Sequence, residues 1–165
     1  MSRMTEPLSR DFELLAFFPA DHAEAINGKI YVNGGYWDRL NFPSFPWSLN
    51  LSLVAILRVP FAKYQADHTF AIGMEDSDGN RLLLDVKATF RVGANPDMKY
   101  GDPTIMPVAV PVAGLSIQRP GDYSFTFEVD GELLGRHRFR AAQIQVPLQF
   151  QLGPPPADPP ESEAS

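Results

Sequence analysis

Cysteine is absent from all 165 residues. That removes disulfides, thiolate metal sites and cysteine nucleophiles together. Histidine is scarce: His22, His68 and His137 are the three, each isolated in sequence. To work as catalysts or metal ligands they would have to converge in space with a carboxylate or a hydroxyl. No apolar run approaches the ~20 residues that a membrane-spanning helix needs. Glu6, Asp11 and Glu13 crowd the first apolar stretch, which argues against a secretory signal and makes the cytoplasm the expected address. Basic charge is short as well. Fourteen Lys and Arg against twenty Asp and Glu give a net charge of −6, and nonspecific nucleic-acid binding needs the opposite balance. There is no Gly-x-Ser-x-Gly elbow, no phosphate-cradling loop and no His-Glu-x-x-His pair. The chain is therefore expected to have no catalytic residues, no cofactor and no metal.

What it does have is proline and glycine, sixteen and twelve, within a composition that is 44% hydrophobic. That suits a turn-rich all-β domain with a core of real size. The clearest stretch is Gly121 to Ala141. Tyr123, Phe125, Phe127 and Val129 alternate with Ser124, Thr126, Glu128 and Asp130, the mark of a strand with one buried face. A two-residue Asp130-Gly131 loop would set Phe125 against Arg136 and Tyr123 against Arg138, placing guanidinium groups on the apolar face. A three-residue loop, Val129-Asp130-Gly131, moves Arg136, Arg138 and Arg140 to the outer face and sets Phe127 against Leu133 and Tyr123 against His137. The odd loop is the expectation here. Upstream, His68, Phe70, Ile72 and Met74 meet Leu82, Leu84, Val86, Ala88, Phe90 and Val92 only if the loop is again odd, and Ser77-Asp78-Gly79 supplies it.

The remaining chain divides readily. Residues 1–10 are polar and expected to be flexible, 11–152 form the domain, and 153–165, Pro-rich and acidic, are expected to be disordered. Phe12 to Phe18 reads as a strand ended by Pro19, followed by a helical turn at 22–26 and a short strand at 28–35. Leu49 to Val59 alternates, with Val54 and Ile56 implying that its second face is also covered. Pro107 and Pro111 demote 105–117 to an edge strand. Ile144 to Phe150 offers a last strand. Eight to nine strands with frequent turns indicate a two-layer antiparallel β-sandwich, immunoglobulin-like or jelly-roll. The approach PGDYSF, 120–125, places Tyr123 to cap a sandwich corner through its hydroxyl.

Four features are candidates for function. The acidic turn EDSDGN, 75–80, suggests calcium with help from Asp97 and Asp102, but Asx residues and glycine also simply make turns, which is the reading preferred here. His68 and His137, on apolar faces, read as core or rim residues, and His22 with Glu24 is only a bare His-x-Glu. The arginine stripe at 136, 138 and 140 reads as a solvated face. Tyr36, Trp37, Phe42, Phe45 and Trp47 lie in an aromatic, Pro-interrupted segment taken as an ordered loop, and they form the candidate interaction surface. Closing the end of the sandwich is the preferred use of those rings, ahead of a protein interface and of stacking on a sugar.

The succession GKIYVNGG, a Pro/aromatic loop, LNLSLVAILRVP, HTFAIGMEDSDGN and PGDYSFTFEVDG resembles an uncharacterised bacterial family of small single-domain proteins, over roughly residues 12–141. The resemblance implies no activity and no site residues. The expected function is a non-catalytic interaction or assembly module, with a protein partner or self-association and neither nucleic acid nor membrane. A carbohydrate-binding module using residues 36–47 is the alternative.

Overall fold

The computed structural model describes residues 10–145. Nine strands run through them: β1 (Glu13–Ile26), β2 (Lys29–Gly35), β3 (Arg39–Phe42), β4 (Trp47–Val59), β5 (His68–Asp76), β6 (Arg81–Phe90), β7 (Thr104–Ile117), β8 (Gly121–Val129) and β9 (Glu132–Gln143). They form two open sheets, ordered β2-β1-β4-β7 and β3-β9-β8-β5-β6. All neighbours are antiparallel except β3, which lies parallel on β9. The protein is an all-β two-layer sandwich. No helix among the described residues is long and apolar enough to cross a membrane.

The core lies where the alternation puts it. Phe125 and Phe127 of β8 are wholly buried, and across the sheets they share the core with Leu53, Ala55, Leu57 and Val59 of β4. Burying each such large side chain contributes roughly 1.5–3 kcal/mol. Val54, on the other face of β4, is also wholly buried. It packs with Ala20 and Ala23, and Phe18, Ile30, Ile56 and Ala109 complete the cluster. The β1–β2 hairpin thus covers the second face of β4, as Val54 and Ile56 implied. Tyr123 donates its hydroxyl to the Arg119 carbonyl at 2.5 Å, the expected corner cap.

Three expectations need correction. The β8–β9 loop is the two-residue one: Val129 pairs with Glu132, and Asp130 and Gly131 both take left-handed φ, 51° and 80°. Such a turn matches the right-handed twist of its strands. The arginines still face outward because a bulge follows at once. Glu128 pairs with Leu133 and Phe127 with Gly135, so Leu134 is the extra residue. It restores the parity that the even loop would have lost. The pairs are therefore Tyr123–Phe139 and Phe125–His137, two residues on from those expected.

The first strand does not stop at Pro19. It continues to Ile26 and absorbs the stretch read as a helical turn, because residues 20–26 pair with β2. Pro19 stays in the strand, paired with Leu53, and its carbonyl accepts from Tyr36 N–H at 2.8 Å. The aromatic segment is likewise not all loop. Arg39 to Phe42 forms β3, which extends the second sheet between two strands of the first. The upstream hairpin has the expected odd loop, with Asp76 N–H donating to the Asn80 carbonyl at 3.1 Å. The expected N-terminal and C-terminal segments, and the last strand beyond Gln145, lie outside the described residues.

Candidate functional site

The segment from Tyr36 to Trp47 carries the chain from one sheet to the other and back, and its five aromatics divide in two. Phe42 is buried, packed edge-on to Phe45 and stacked on Trp47 at 5.6 Å. Trp37, half-buried, meets the rings of Phe125 and Phe139 at 6.5 and 5.8 Å. These rings close the sandwich. The Trp37 indole Nε1 is buried with no hydrogen-bond partner among the described residues, an omission that costs about 1–3 kcal/mol. Tyr36 behaves differently. It is 71% exposed, has φ 65°, and rests on Phe18 and His137 with ring centroids 5.4 and 5.6 Å away. Trp47 is partly exposed.

The histidines do not converge. His22 lies on the surface, 3.3 Å from Glu24. The His137 Nε2 donates to the Trp37 carbonyl at 2.8 Å. His68 is buried, with Nδ1 2.7 Å from Asp130 Oδ2 and Nε2 2.8 Å from the Lys63 carbonyl. Its carboxylate partner was not visible in sequence, because the two residues are 62 apart. Asp130 also accepts from Thr69 N–H at 2.9 Å, and chiefly that bond holds its carboxyl below the usual carboxylate range.

At the acidic turn, Asp76 accepts from Asp78 N–H at 3.0 Å, Asn80 N–H at 2.9 Å and Asn80 Nδ2 at 3.1 Å. The Asn80 side chain is the main reason that the Asp76 carboxyl is held low. This is a turn made by its own side chains. Among the described residues no group of three or more His, Asp or Glu is placed to hold a metal ion.

The arginine stripe faces solvent. Arg140 grips Asp122 through two bonds, at 2.8 and 3.2 Å, and Arg136 lies 3.4 Å from Glu75. The Arg140 guanidinium holds the Asp122 carboxyl below its ordinary value. Arg138 sits opposite Ser124 and has no ion pair among the described residues. Four arginines and four carboxylates line the shallow concavity over this face.

Two features were missed from sequence. One is the His68–Asp130 pair. The other is an apolar groove between β6 and β7, lined in part by Met74, Leu84, Leu115 and Arg119. Only the Asp130-Gly131 dipeptide gave a signal, as a two-residue turn.

No curated protein matches the chain. Among solved structures, the Pseudomonas fluorescens alkylpurine DNA glycosylase AlkC bound to DNA containing an abasic site analog is similar at 15% identity and a TM-score of 0.39, covering 76% of this chain. The chain spans about 30% of that protein's length. This DNA-bound neighbour corrects the expected partners: the exclusion of nucleic acid, drawn from net charge, is withdrawn, and the expectations of a protein partner and of self-association go with it. A likeness this slight assigns nothing in their place. The family model for DUF6941 matches residues 15–142, and the chain belongs to that family of unknown function.

Proposed function

We infer that this chain is a non-catalytic β-sandwich of immunoglobulin-like topology, acting through its surface as an interaction or assembly module. The strand order supports immunoglobulin-like over jelly-roll: the Tyr123 corner opens β8, and β3 adds in parallel to the last strand, β9. The single observation that carries the functional reading is Tyr36. Its N–H is fixed on Pro19, its ring is braced by Phe18 and His137, and its backbone sits in the left-handed region. A non-glycine residue held in that region while 71% exposed is a rigid aromatic anchor. The reading is further supported by His68 and His137, whose hydrogen bonds are made within the fold. The carbohydrate alternative has less behind it, since Trp47 stacks on Phe42 at an interplanar angle of 18°.

The test compares the full chain with its Tyr36→Ser and Arg138→Ala variants, each immobilised and challenged with cell extract and with a glycan set. Specific capture from extract that survives Arg138→Ala and is lost in Tyr36→Ser supports the reading. Capture indifferent to Tyr36, or binding confined to glycans, overturns it.

A further inference from the structure

Among the described residues β6 and β7 are outer strands of the two sheets, at the ends away from β3 and β2. Between these two edges opens a groove of about 560 Å³. Its floor is the core itself: Met74, Leu84, Val112, Leu115 and Tyr123 line it, and all are buried.

Both rims bulge at this spot. In β7, Leu49 pairs with Leu115 but Leu51 pairs with Val112, so Asn50 faces two residues, Ala113 and Gly114. Gly114 has φ 67°, and its N–H donates to Asn50 Oδ1 at 2.8 Å, which pins the bulge. In β6, the step from Gly73–Asp85 to Glu75–Arg81 leaves Leu82, Leu83 and Leu84 opposite Met74 alone. Leu83 is thrown fully into solvent. A bulge bends its strand and re-aims neighbouring side chains. Two of them on facing edges part the sheets where they would otherwise close.

The mouth is basic. The Arg119 side chain is 74% exposed and lies 4.0 Å from Asp76. Among the described residues Asp76 is the one carboxylate lining the groove, and the turn already engages it through Asp78 and Asn80. Arg119 makes this one long ion pair and no side-chain hydrogen bond among the described residues, so its guanidinium donors remain open to an anion. Arg81, on the other lip, is taken by Glu128 at 2.9 Å.

We propose that this groove binds an amphipathic monoanion, a single-chain fatty acid, with its hydrocarbon on the Met74–Leu84–Leu115 floor and its carboxylate on Arg119. The volume lies within the roughly 300–1,000 Å³ of small-molecule pockets and suits one chain rather than two. A guanidinium is the side chain best matched to a carboxylate. The site is independent of Tyr36.

The experiment titrates the full chain with dodecanoate below its micelle concentration, by calorimetry and by amide chemical shifts, alongside dodecanol. Saturable binding is expected, with Arg119→Gln weakening it about tenfold and dodecanol binding weaker by a similar factor. Leu82→Trp, which fills the groove, should abolish binding while thermal melting reports whether the variant folds. Absence of binding overturns the proposal. So does dodecanoate binding that ignores Arg119→Gln, since that is adsorption without head-group recognition. Arg119→Gln keeps the test decisive if Leu82→Trp does not fold.

Discussion

His68 and Asp130 are joined side chain to side chain at 2.7 Å, tying the tip of the β8–β9 hairpin to the start of β5. Asp130 completes the join through its backbone as well, its N–H donating to the Thr69 carbonyl at 2.8 Å. The other nitrogen of His68 meets the Lys63 carbonyl. Phe12 and Phe90 flank the ring. Asp130→Ala is expected to cost about 1–3 kcal/mol, chiefly because it leaves a buried donor unpaired. Urea denaturation at neutral pH measures it.

The same residue predicts a pH dependence with a definite sign. The Asp130 carboxyl is held low, first by the Thr69 N–H and then by His68. A depressed carboxylate stabilises the fold above its unfolded value of about 3.9, and that contribution is lost as pH falls through the lower folded value. Asp130→Asn keeps an acceptor for Thr69 but cannot titrate. The difference in melting temperature between the parent and Asp130→Asn should shrink as acid is added, reaching its smallest value below pH ~3. A gap that widens in acid would contradict the linkage.

Phe139 and Arg138 are adjacent and should behave as opposites. Phe139 is buried, stacked at 4.8 Å on Phe125 and at 5.5 Å on Tyr123, with Trp37 edge-on. Phe139→Ala is expected to lose about 3–5 kcal/mol through lost burial and the cavity left behind. Arg138→Ala should stay within about 0.5 kcal/mol. Parallel urea curves give the ranking, and a reversal would mean that β9 presents its other face to the core.

Tyr123→Phe isolates the corner cap, since the ring and its packing remain while the bond to the Arg119 carbonyl is lost. A loss of about 0.5–1.5 kcal/mol is expected. Because Arg119 also stands at the groove mouth, the same variant should weaken dodecanoate binding if the cap positions that side chain.

Much of the fold could be read from parity. Alternation assigned the buried faces of β4, β5, β8 and β9, and it did so even at the β8–β9 hairpin, where the loop itself was misjudged. Parity is fixed by burial, but two routes reach the same parity: an odd loop, or an even loop with one bulge. Leu134 is that bulge, and nothing in its side chain marks it. β3 was hidden because four residues in parallel pairing carry too little pattern, and the prolines that follow it, Pro43 and Pro46, with the surrounding aromatics, spoke for a loop. The aromatic candidates were legible as a set but not as a division, because whether Tyr36 or Phe42 faces solvent depends on which sheet each is pinned to. The groove was invisible for a related reason. It arises from slips between Gly73 and Glu75 and between Leu49 and Leu51, which are properties of pairs of strands.

The two prolines of β7 have a consequence for how the molecule behaves in crowded solution. Pro107 and Pro111 keep their places opposite Ile56 and Ser52, so the donors that they lack are ones that would point away from the sheet. Four residues apart, they delete alternate rungs from any ladder that a stray strand would try to build there. Polymerisation seeded from that margin is disarmed at the level of the backbone, whatever side chains the newcomer brings. From Val112 to Ile117 the strand has no such guard, and that unguarded stretch is the rim of the groove.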